Sequence, residues 1–318
     1  MKLTLNDWGQ IVKGTFREWY SDNAMRLGAA LAYYSMFSVA PLLIIAIAVA
    51  GAVYGEEAAA GKIQLQLQSL VGREAAAAIE KILESAGTHE NGRLATLLSI
   101  GALWLGASWV VLALKDSLDT VWGVMPDPNR SWWSTVKDYL VALLVVLLVG
   151  ILLLSSLILT AVLTAIGAFA QHLIPIPLPV AYWINLVVSF VVITLLFALL
   201  FKLLPDVEIN WNDVCIGAAI TAVLFLIGRE LISIYLAKAS VGTTYGAAGS
   251  LAVILIWTYY SSLILLLGAE FTQVYARTTG CEIRPRPGGV WLTPALQAEQ
   301  LTHKPKPQAK APGEKQPC

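Results

Sequence analysis

GTTYGAAGSLAVILIWTYYSSLILLLGAEFTQ, residues Gly242–Gln273, decides the fold. A glycine- and threonine-rich opening leads into a long uncharged run, and one carboxylate, Glu270, stands near its far end. At about 1.5 Å per residue, a helix of this length crosses the ~30 Å hydrocarbon layer. An ionisable residue near the exit and an irregular polar mouth mark it as more than a plain anchor.

The rest of the chain has the same character. It is 57% hydrophobic and 13% charged, against roughly 25% charged for soluble domains. Mean hydropathy is +0.69. Formal net charge is zero, so no global field points to nucleic acid. Cys215, Cys281 and Cys318 are too dispersed for a disulfide framework, and with His89, His172 and His303 they form no metal-ligand spacing. No cofactor motif occurs, and no phosphate-binding loop of the Walker type.

Working outward, five further apolar runs predict spans at about 27–53, 94–114, 139–170, 180–204 and 214–236, with 247–272 as the sixth. The expected fold is an all-α polytopic membrane bundle with interfacial amphipathic helices. Pro41 interrupts the first span and demands a compensating partner. The third is too long for one upright crossing and is expected to tilt or kink. Residues 1–26 place Trp8, Ile11, Phe16 and Trp19 at helical spacing among Lys and Arg, which suits a helix in the headgroup layer; a soluble cap helix is the alternative. A second amphipathic helix is expected within the loop 54–93. The tail 277–318, rich in Pro, Lys and Gln and including RPRPGG, is expected to lack structure.

Fifteen of the 21 Lys and Arg fall in the N-terminal segment, the loop after the second span, the turn after the fourth and the C-terminal tail. Five fall in the alternate loops, and Arg229 lies inside the fifth span. The positive-inside rule then puts both termini in the cytoplasm, as an even number of spans requires.

Three separated stretches carry a resemblance. RLGAALAYYSMFSVAPLLIIAIAVAG from Arg26, GALWLGASWVVLALKDSLDTVW from Gly101, and TTYGAAGSLAVILIWTYYSSLILLLGAEFTQVYAR from Thr243 occur in order. They resemble the first, second and last spans of the YihY/BrkB family of bacterial inner-membrane proteins. The likeness covers about residues 10–280. It implies a plasma-membrane location and six spans. Names attached to the family include serum-resistance factor and ribonuclease BN, and its members are often described as transporters, with no substrate fixed by the resemblance. The ribonuclease label fails on these residues. Metal-dependent RNA hydrolysis needs clustered His and Asp, and none are clustered here.

Candidate binding residues follow from ionisable and polar groups in apolar surroundings. Arg229 lies about 22 Å along its span. It suits bidentate recognition of phosphate or carboxylate, though an arginine that snorkels or pairs structurally would look the same. Lys238, Thr243, Thr244, Gly246, Gly249 and Ser250 surround the start of the last span, where free N–H groups favour an anion; a tight packing turn is the bland reading. Tyr33, Tyr34, Tyr259 and Tyr260 bring hydroxyls that need partners inside spans. Glu270 and Arg26 fall at one level and are expected to form an ion pair, with proton coupling at Glu270 as the alternative. No catalytic or metal-binding constellation is found. Two functions follow: a transporter or exchanger of an amphiphilic or anionic small molecule with the bilayer and a lipid or organic anion as partners, or a non-transporting envelope scaffold.

Overall fold

The structure is a computed structural model that describes residues 4–36, 109–127, 178–239, 249–279 and 283–292, with isolated positions at 77 and between 132 and 155. Most of the first, second and third expected spans, and the outer amphipathic helix, lie outside the described residues.

Helix α1 (Leu5–Ser21) begins with a reciprocal cap. The Thr4 hydroxyl oxygen accepts the Asp7 N–H at 3.4 Å, and the Asp7 carboxylate accepts the Thr4 N–H at 2.7 Å. Two of the donors that every helix start leaves over are thereby satisfied. Asp22 closes the helix, and Asn23 adopts φ 54°, a left-handed conformation that asparagine tolerates. The Asn23 carbonyl then starts α2 (24–36) by accepting the N–H of Arg26 at 2.8 Å.

Helix α3 (109–122) ends at Gly123, whose φ of 65° provides a left-handed stop. Strand β1 (Val124–Pro126) follows. Helix α4 (Leu178–Leu203) is apolar on all sides, as a lipid-embedded helix is. It ends ahead of Pro205, which disfavours helix at the residue before it. Strand β2 (Val207–Glu208) links it to α5 (Trp211–Ala239), and α6 (Gly249–Thr278) is the helix of the opening stretch. Segments Leu186–Leu203, Trp211–Lys238 and Leu251–Thr278 are each long and apolar enough to cross a membrane. At most 33% of any of them is buried within the protein. Val187, Val191 and Leu195 on α4, and Leu224, Ile227 and Leu231 on α5, point outward as lipid-facing residues do.

Helices α5 and α6 approach closely through two matched pairs. Thr272 of α6 lies directly on Gly217 of α5, and Thr221 of α5 lies directly on Gly268 of α6. Each threonine donates its hydroxyl to a glycine carbonyl four residues earlier on its own helix, at 2.7 Å in both cases. The polar atom is satisfied locally, so the apolar faces can meet without an orphaned group.

The core gathers at one end of the bundle, where α3, α4 and α6 finish and α5 starts. Trp122, Leu118, Val121, Phe201, Leu204, Val214 and Leu266 are all essentially inaccessible there. Helix α1 docks against α6 by burying Ile11 against Phe271 and Tyr275, and Trp8 stacks on Phe271 at 6.4 Å between ring centres. Val12, Phe16 and Tyr20 remain exposed. The helix therefore has both a docked face and an exposed aromatic face.

Part of the tail departs from the expectation of a structureless segment. Strand β3 (Arg284–Pro285) pairs antiparallel with β2, and β4 (Gly289–Trp291) pairs antiparallel with β1. Between β3 and β4, Arg286-Pro287-Gly288-Gly289 makes a turn closed by the Gly289 N–H on the Arg286 carbonyl at 2.9 Å. Gly288 has φ 99°. Proline second and a positive-φ glycine third is the demand of a type II turn. The Pro–Gly pair was a turn signal inside a composition that otherwise suggests disorder.

Candidate functional site

The best-defined polar constellation lies at this same end. Lys115, on α3 just beyond the expected second span, donates to Asp119 at 2.8 Å and to Asp206 at 2.5 Å. Asp206 lies 91 residues away, in the turn between α4 and β2. Its backbone N–H donates to the second oxygen of Asp119 at 2.7 Å, and its carbonyl accepts the N–H of Arg286 at 2.8 Å. The Arg286 guanidinium caps the end of α4, donating to the carbonyls of Lys202 at 2.6 Å and Leu203 at 3.3 Å. A cation near a helix C-terminus is favourably placed.

Burial pushes the Asp119 carboxyl up to about 6, against the pull of Lys115 and the Asp206 N–H. Burial works the other way on Lys115, but Asp119 and Asp206 outweigh it and raise its pKa above the ordinary value. One ammonium between two carboxylates, with the second oxygen of Asp119 taken by a backbone donor, is how a buried charge becomes tolerable. The i,i+4 spacing of Lys115 and Asp119 after an apolar run was a legible signal. Nothing in the sequence marked Asp206 as their partner or Arg286 as the residue that caps α4 beside them.

The residues expected to bind an anion are spread over several helices. Arg229 has a side chain 17% exposed and lies on Glu230, with Nη2 at 2.7 Å and Nε at 3.1 Å from one carboxylate oxygen. Tyr260 of α6 packs over Gly228, the residue before it. Tyr259 faces the other way, over Gly28 of α2. Tyr33 and Tyr34 are exposed and meet edge to face at 5.7 Å. Lys238 is exposed near the end of α5. Gly249 and Ser250 open α6, and Thr243, Thr244 and Gly246 lie outside the described residues. Arg229 and Tyr260 are thus brought to one level, whereas Tyr33 and Tyr34 sit on a different helix.

The expected ion pair between Glu270 and Arg26 is not formed. Arg26 is exposed, while Glu270 is fully buried and neither of its carboxylate oxygens has a hydrogen-bond partner. The acids Asp22, at the end of α1, and Glu18 within it, together with Arg277, are the charges that act on it. Helical spacing placed Arg26 at the right level, but Asn23 breaks the helix and restarts it, and Asp22, not Arg26, is the charge from this connection that bears on Glu270. Burial lifts the Asp22 carboxyl above its ordinary value, while the Ser21 hydroxyl, donating at 3.2 Å, acts in the opposite sense.

A shallow cleft of about 300 Å³ is lined by Asn210, Trp211, Asn212 and Asp213 at the start of α5. Lys202 sits over the Trp211 ring at 5.5 Å. Among the described residues no three His, Cys, Asp or Glu are grouped to hold a metal ion.

Known proteins place the chain among membrane proteins. UPF0761 membrane proteins of Tolumonas auensis and Psychromonas ingrahamii are 36% and 37% identical over 72 and 71 residues, which is 22% of this chain and 24% of theirs in both cases. One from Idiomarina loihiensis is 26% identical over 183 residues, 57% of this chain and 62% of its own. The chain thus spans about a quarter to somewhat under two thirds of these relatives. No solved structure matches. The family model described as virulence factor BrkB matches residues 15–288, from within α1 to the turn before β4. By that match over most of its length, the chain belongs to the virulence factor BrkB family of membrane proteins.

Proposed function

We propose that the protein is a six-span inner-membrane transporter or exchanger of an amphiphilic or anionic small molecule, such as a lipid phosphate, with both termini in the cytoplasm. The observation that carries this reading is Arg229. It is a largely buried guanidinium within an apolar crossing helix, level with the Tyr260 ring of the neighbouring helix. Ionisable groups at such positions mark substrate paths far more often than surface ones do. A guanidinium matches phosphate and carboxylate in geometry as well as charge. The reading assigns the protein no catalytic step.

Reconstitution into liposomes with a panel of phospholipids and organic anions tests it. At least one member should move across the bilayer, and Arg229→Ala, inserted at wild-type level, should slow that movement about tenfold or more, the scale of a lost charge-assisted hydrogen bond. A second reading, a non-transporting scaffold, is favoured by the exposed aromatic face of α1 and the charged clasp at Lys115. No movement of any member, with lipid binding that survives Arg229→Ala, supports that reading instead.

A further inference from the structure

We propose that Glu270 and Asp22 form a proton-binding site at the junction of α1 and α6, one proton being shared between the two carboxyls. Glu270 is 0% exposed, and both its oxygens lack a hydrogen-bond donor. The polar side chains beside it on α6 are committed elsewhere. Thr272 donates to the Gly268 carbonyl at 2.7 Å, and Gln273 donates to the Val121 carbonyl of α3 at 2.6 Å. Two acids, Glu18 of α1 and Asp22, which closes it, bear on Glu270 from the packed side. The cation that acts on it, Arg277, is exposed and two turns further along α6, and Arg26 faces outward.

A fully ionised arrangement would leave a buried carboxylate without donors next to further negative charge. Both conditions oppose ionisation of the pair. A single proton relieves them together, because one carboxyl becomes a donor to the other and the pair then holds one negative charge instead of two. Such groups release their protons as a unit rather than as separate residues. The site lies where a crossing helix meets the segment that leads into α2, so loading and release of the proton would act directly on the contact between α1 and α6. Its use in coupling rests on the transport reading above, but its existence does not.

Infrared difference spectroscopy of the full-length protein in nanodiscs, titrated in H₂O and D₂O, tests the site without any substrate. At neutral pH a deuterium-sensitive band of a protonated carboxyl should be present and should vanish in Glu270→Gln. In Asp22→Asn the band should remain but be lost at a lower pH, since the neighbouring charge that discouraged ionisation is gone. Retention of the band in Glu270→Gln overturns the assignment, as does its absence from the wild type at neutral pH, the result an alkali ion in place of the proton would give. Should Glu270→Gln fail to fold, an Asp22→Asn titration identical to wild type would overturn the pairing by itself.

Discussion

Lys115 shows what single residues contribute here. Its ammonium bridges Asp119 and Asp206, so replacing it strands two carboxylates in a region where their side chains are 4% and 19% exposed. Lys115→Ala should destabilise the folded protein by about 3 kcal/mol or more, the usual cost of breaking a buried pair from one side. Asp119→Asn should cost much less, because Asp206 still holds the ammonium and the amide oxygen can still accept the Asp206 N–H. Thermal midpoints of the two variants in detergent check the order, which would be wrong if Asp119→Asn proved the worse.

The pH response of this group has a definite sign. Asp119 has a folded pKa of about 6, above its ordinary value of 3.8, so the folded state holds this proton more tightly than the unfolded chain. Its contribution to stability is therefore greatest at low pH and is lost as pH rises from about 4 to about 6. Lys115, with its pKa raised, contributes stability that persists through neutral pH and disappears only in the alkaline range. The midpoint of wild type relative to Asp119→Asn should accordingly fall between pH 4 and 6 and then level off. A relative midpoint that rises across that window would contradict the burial argument.

At the scale of elements, the packing of α5 on α6 depends on two glycines whose missing side chains admit the opposing threonines. A methyl at Gly217 or Gly268 would collide with the hydroxyl, β-carbon and methyl of the facing threonine. These atoms adjoin the helix backbone and have little room to move. Gly217→Ala or Gly268→Ala should each cost about 1–3 kcal/mol through overpacking. Pairing Gly268→Ala with Thr221→Ser, which removes a methyl from the contact, should recover part of the loss. Thermal unfolding monitored by circular dichroism reads both outcomes, and an equal loss in single and double variants would refute the steric account. The turn before β4 offers a parallel case. Gly288 at φ 99° resists a β-branched replacement, and Gly288→Val should loosen both short sheets through backbone strain of about 1–2 kcal/mol.

Across the whole molecule, the strands of the 283–292 segment join α3, the end of α4 and the start of α5 into one clasp. Its bonds run from Arg286 to the α4 carbonyls, from β3 to β2 and from β4 to β1. A chain ended before Cys281 should lose this clasp. Protease should then cut near 204–210, where Leu204, Val207 and Ile209 are buried in the intact protein, while the apolar helices stay inserted in membranes. Equal protection in both chains would show the clasp to be dispensable.

The sequence alone settled the membrane character and where its clearest apolar helices lie along the chain. Hydrocarbon offers the backbone no hydrogen bonds, so an uncharged run long enough to cross must be helical whatever surrounds it. The run after Gly249 became α6, and those near 180–204 and 214–236 became α4 and α5, with ends set locally by Pro205 and Asn210. The BrkB resemblance was readable for the same reason, being carried by largely apolar stretches whose described parts lie mainly in α2, α3 and α6. Partner choice was not readable in this way. Lys115 meets Asp206 across 91 residues, Gln273 meets Val121 across 152, and Glu270 meets acids where an arginine was expected. Helical periodicity says which face a side chain occupies but not which face of another element comes to lie against it. That is decided by how the elements pack, and at Asn23 a single left-handed residue separates α1 from α2, so that Glu270 meets Asp22 instead of Arg26.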